Sequence, residues 1–62
     1  MNTTLKPYTF KAQDTITGAI RLLNDFQVTQ EEISELMKIY NEVNHLKVAK
    51  PGSVFMIPVI EK

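Results

Sequence analysis

The chain has 62 residues, with seven basic side chains against seven acidic ones, one histidine and no cysteine. That leaves room for a single core, rules out disulfides and the usual structural zinc sites, and gives no cationic excess to draw nucleic acid. No apolar run approaches the ~20 residues that span a bilayer, and Met1-Asn2-Thr3-Thr4-Leu5-Lys6 lacks the apolar stretch of a signal peptide, so a product made in the cytoplasm with no membrane partner is expected.

Chains of this size bury only about 60% of their unfolded surface. Stability is therefore expected to lean on well-formed local structure, on a partner, or on both. Taken in order, Tyr8-Thr9-Phe10-Lys11 alternates aromatic and polar residues as a half-buried strand does, and Pro7 stands at its start. Asp14 or Thr15 then offers a side-chain oxygen to the free N–H groups of a helix. Ile16, Ala19, Ile20 and Leu23 make the apolar stripe of that helix. Gly18 weakens it by roughly 1 kcal/mol relative to Ala, which implies that something packs closely there. Asn24-Asp25 marks its end, with Phe26 expected to turn back to the core.

The second helix carries the clearest start signal. Thr29-Gln30-Glu31-Glu32 spells a capping box, flanked by Val28 and Ile33 as a hydrophobic staple. Ile33, Leu36, Met37 and Tyr40 form its core-facing stripe, and its end falls at or after Tyr40. A loop is expected from 44 to 52, with Leu46 and Val48 tucked inward and Pro51-Gly52 supplying a turn. Val54-Phe55-Met56-Ile57 reads as the closing strand, with Pro58 ending its ladder or marking an edge. The expected fold is α+β: a small β-α-α-β domain with two helices packed on one face of a two-stranded antiparallel sheet. The single domain occupies 1–62, its core 7–58, with 1–6 and 59–62 as extensions.

In order along the chain, Tyr8-Thr9-Phe10, Asp14-Thr15-Ile16, Val28-Thr29 with Ile33, Asn41, and Gly52 with Phe55, Ile57 and Pro58 resemble the motifs of the LysM family. The resemblance covers nearly the whole chain. Gln13 departs from it, standing where the family usually carries Gly. The resemblance implies one of two functions. One is that of the short, unsecreted LysM-like proteins of phage-type tails and baseplates, which hold neighbouring subunits together; that reading places the protein in a virion with other tail subunits as partners. The other is binding of peptidoglycan or chitin, polymers of N-acetylglucosamine. A third, weaker option is a cytoplasmic accessory protein responsive to a small molecule or ion.

Each function would use different residues. By the resemblance, a glycan groove would be lined by Ala12, Gln13, Asp14, Thr15, Asn41 and Asn44. Helix capping already explains Asp14 and Thr15 without a sugar. A protein interface would use apolar residues that fall off the helix stripes or on the outer side of the closing strand: Leu22, Ile39, Val54, Met56 and Ile60. An unpaired strand edge would also be open to augmentation. His45 has no Cys, Ser or Asp constellation around it, and helix-dipole compensation accounts for Glu31, Glu32 and Glu35. No catalytic residue, metal site or cofactor is expected.

Overall fold

A computed structural model describes residues 2–45 and 50–61. The elements run β1 (Thr3–Thr9), α1 (Ile16–Leu23), α2 (Gln30–Val43) and β2 (Val54–Ile60). The β-α-α-β order expected from the sequence is the observed one. The expected inward placement of Leu46 and Val48 lies outside the described residues.

The two strands pair antiparallel over their full lengths, from Thr3 opposite Ile60 to Thr9 opposite Val54. β1 thus begins at Thr3, well before the aromatic alternation at Tyr8 announces it. Thr3-Thr4-Leu5-Lys6 has no alternation to read, because most of this strand is exposed on both faces. β2 runs through Pro58 and does not stop there. Pro58 stands opposite Leu5, at a position whose missing N–H would face away from β1, so the ladder loses nothing.

Both helices begin as the residue types dictate. Thr15, extended at φ −116°, caps α1 by accepting the Gly18 N–H at 3.0 Å. A Cβ on residue 18 would lie 2.8 Å from that Thr15 oxygen, which explains the glycine inside the first turn. At α2 the Thr29 hydroxyl accepts the Glu32 N–H at 3.1 Å, while the Glu32 carboxylate accepts the Thr29 N–H at 2.8 Å. This reciprocal pair satisfies two of the donors that every helix start leaves free.

The apolar stripes meet over β2. Ala19 and Ile20 of α1, Ile33, Leu36 and Tyr40 of α2, Phe10 and Ile57 are all buried. Ile16, Leu23, Val28 and Met37 pack at the margin of the same cluster. Aromatic rings link the sheet to α2 in a chain of edge contacts: Tyr8 to Phe10 at 5.4 Å, Phe10 to Phe55 at 5.7 Å, and Phe55 to Tyr40 at 6.1 Å between centroids. Such T-shaped pairs are worth about 0.5–1.5 kcal/mol each beyond their buried area. Both helices pack on the sheet chiefly through β2, and β1 leans on β2.

The outer edge of β2 is closed by two asparagine side chains. Asn24 and Asn44 are the C-cap residues of α1 and α2. The Asn44 amide donates to the Tyr40 carbonyl at 3.0 Å and to the Met56 carbonyl at 2.9 Å, and its oxygen accepts the Met56 N–H at 3.2 Å. The Asn24 amide donates to the Ile20 carbonyl at 2.7 Å and the Pro58 carbonyl at 3.2 Å, and accepts the Ile60 N–H at 2.8 Å. Each side chain does what a third strand would do, while also closing the last turn of its own helix. A buried strand edge without such partners would cost roughly 1–3 kcal/mol per unsatisfied group.

Candidate functional site

The expected groove lies where β1 runs into α1 and the chain returns towards β2. Two backbone bonds tie these loops together: Phe10 N–H to the Ser53 carbonyl at 2.9 Å, and Gly52 N–H to the Phe10 carbonyl at 2.8 Å. Lys50-Pro51-Gly52-Ser53 is a type II turn, closed by Ser53 N–H to the Lys50 carbonyl at 3.0 Å with Gly52 at φ +87°. On the other side, Lys11 to Asp14 makes a turn closed by Asp14 N–H to the Lys11 carbonyl at 3.1 Å. Gln13 keeps a negative φ in it, so this turn works without the glycine expected from the family pattern.

Asp14 is the organising residue of this end. One carboxylate oxygen accepts both the Tyr8 hydroxyl at 2.7 Å and the Lys11 N–H at 2.8 Å. The Tyr8 hydroxyl, and after it the Lys11 N–H, hold the Asp14 carboxyl below its ordinary pKa, outweighing a small opposing effect of desolvation. Conversely, hydrogen bonding to Asp14, with smaller contributions from burial and the carboxylate charge, pushes the Tyr8 phenol up. The pair therefore stays carboxylate and phenol across the neutral range, and neither partner is poised for proton transfer near pH 7.

The five proposed groove residues do not form one polar surface. Gln13 and Thr15 are exposed, although the Thr15 oxygen is engaged in its cap. Asn41 is half-buried in the last turn of α2. Asn44 is 8% exposed and turned inward onto β2. Both donors of its amide are in use, so it belongs to the frame of the fold.

The proposed interface residues divide too. Leu22 and Val54 are exposed, at 46% and 58%. Met56 is half-buried, and Ile39 and Ile60 pack against the core, which leaves them little free surface. Two exposed apolar residues escape the sequence reading: Leu5, and Phe26 at 69%. Phe26 does not turn back to the core as expected. α1 ends in a Schellman motif, with Phe26 N–H to the Arg21 carbonyl at 2.8 Å and Asp25 N–H to the Leu22 carbonyl at 3.2 Å. Asp25 and Phe26 both take left-handed φ, +56° and +58°. That swings the ring outward, at about 1–2 kcal/mol per residue where glycine is absent.

Beside this turn, at the opposite end of the sheet from the loops, is a recess of about 260 Å³. It is lined by Leu23, Asn24, Asp25, Gln27, Val59 and Ile60. Among the described residues, no three His, Asp or Glu side chains gather as a metal site would require. No helix among them is long and apolar enough to cross a membrane. Comparison with protein-family models, with curated proteins and with solved structures found no match.

Proposed function

We propose that this domain is a non-enzymatic adaptor that holds neighbouring protein subunits together, a LysM-like module of the kind found in phage-type tails and baseplates. One contrast carries the reading. The polar side chains of the would-be sugar groove are largely engaged inside the fold, Asn44 on β2, Asp14 on Tyr8 and Lys11, and Thr15 on its helix. The apolar side chains Leu5, Leu22, Phe26 and Val54 face outward. A sugar site needs free polar groups around an apolar shelf, whereas a subunit contact needs apolar anchors that desolvate on binding. The family and the virion setting are carried by the ordered motifs of the sequence.

Val54, at the head of β2, is the anchor to test. Val54→Glu is expected to leave circular dichroism and melting temperature nearly unchanged, because the side chain is 58% exposed. It should abolish incorporation into the particle encoded alongside the protein. Saturable calorimetric binding of N-acetylglucosamine oligomers, with incorporation unaffected by Val54→Glu, would replace the adaptor with a cell-wall-binding module.

A further inference from the structure

The end of α1 carries a plug and a socket side by side. Phe26 is the most open of the large apolar side chains among the described residues. The recess next to it has an apolar floor of Leu23, Val59 and Ile60 and a polar rim of Asn24, Asp25 and Gln27. Its 260 Å³ takes several waters, each with a share of about 30 Å³ in the liquid, and so has room for a phenyl ring. Phe26 lies between two rim residues in the chain. The successive left-handed backbone angles of Asp25 and Phe26 hold its ring out in solvent.

The charges around the plug are self-complementary. Arg21, whose carbonyl holds the Phe26 N–H, supplies an exposed cation, and Asp25 supplies an exposed anion one residue before the ring. A two-fold axis through this turn would set Arg21 of one copy against Asp25 of the other, and the reverse. Because plug and socket adjoin, the contact closes on itself; on opposite faces they would propagate into a filament. With seven positive and seven negative side chains, two copies meet without net repulsion.

We propose that this surface binds a second copy of the chain, Phe26 of each seated in the recess of the other and Arg21 paired with Asp25 across the axis. A standard stable interface takes about 800 Å² from each partner, close to a fifth of the 4324 Å² this chain exposes. One helix end supplies less than that, so the dimer is weak and forms at high local concentration, as in an assembly. The contact lies at the other end of β2 from Val54, and so stands or falls separately from the adaptor reading.

Sedimentation of the purified protein from ~10 µM to ~1 mM, the range of weak association, tests it with four variants. The native chain should pass from monomer to dimer, and Phe26→Ser should stay monomeric with an unchanged helical spectrum. Arg21→Glu and Asp25→Lys should each weaken association at least tenfold, and the double variant Arg21→Glu/Asp25→Lys should restore it. A native chain that is monomeric throughout, dimerisation that survives Phe26→Ser, or a double variant no better than the single ones would each overturn the proposal.

Discussion

The two helix ends use the same device and finish differently. α1 stops at Asn24 and α2 at Asn44. Each asparagine returns to the carbonyl four residues back and reaches across to β2. The residue after each, Asp25 or His45, is left-handed at φ +56° or +55°. After α1 a second left-handed residue, Phe26, carries an aromatic ring into solvent. The shared part is architecture: a side-chain amide replaces the strand that a two-stranded sheet lacks. The part found at one end alone is surface, and there an exposed apolar group is kept on strained backbone.

Breaking the shared part should produce the largest effects. Asn44→Ala removes the partners of the Met56 N–H and carbonyl, and Asn24→Ala those of the Ile60 N–H and Pro58 carbonyl. At about 1–3 kcal/mol per buried unsatisfied group, each should lose roughly 2–4 kcal/mol in chemical denaturation. That is a large part of the stability of a chain this short. Asn24→Asp and Asn44→Asp should be worse still at neutral pH, because a carboxylate cannot donate to the two carbonyls. Part of that loss should return in acid, where the protonated carboxyl can donate once.

The left-handed residues sharpen the comparison with changes of opposite sign. Asp25→Gly and His45→Gly should each stabilise by about 1 kcal/mol in the same assay, since glycine takes this conformation without strain. The Asp14 cluster gives a pH signature at the far end of the sheet. Its carboxyl is held below the ordinary value by Tyr8 and Lys11. Its stabilisation is therefore complete above the ordinary carboxylate range and is lost as pH falls through the lowered value. Asp14→Asn should flatten the acid limb of the stability curve in that window and leave the neutral region with a uniform small loss.

The smallest effect belongs to Tyr40, whose carbonyl serves Asn44 as Ile20 serves Asn24. Its ring is fully buried, its hydroxyl has no hydrogen-bond partner, and burial pushes its phenol pKa up. Tyr40→Phe removes a desolvated group that returns nothing. It should leave stability within about 0.5 kcal/mol or raise it slightly.

The sequence announces the helices well, because their signals are local. The Thr29–Glu32 capping box and the stripes Ile16-Ala19-Ile20-Leu23 and Ile33-Leu36-Met37-Tyr40 each lie within a few turns of chain. The start of β1 is hidden because Thr3 to Lys6 pair with β2 while most of their side chains remain in solvent. The asparagines are hidden for a stronger reason. Asn44 bonds a strand twelve residues away and Asn24 one more than thirty away. In the sequence, a helix-end asparagine that clips a strand is indistinguishable from one that greets a sugar. Phe26 was assigned to the core by its type, and the left-handed turn that exposes it depends on φ angles that Asp and Phe rarely adopt.

The most direct test follows the side-chain amide protons of Asn44 by NMR, in hydrogen exchange and during titration with N-acetylglucosamine oligomers to millimolar concentration. The structural role assigned to Asn44 requires slow exchange and no shift with sugar, since both protons are bonded to the Tyr40 and Met56 carbonyls. Rapid exchange together with a saturable sugar-dependent shift would contradict it and make Asn44 a ligand-binding residue.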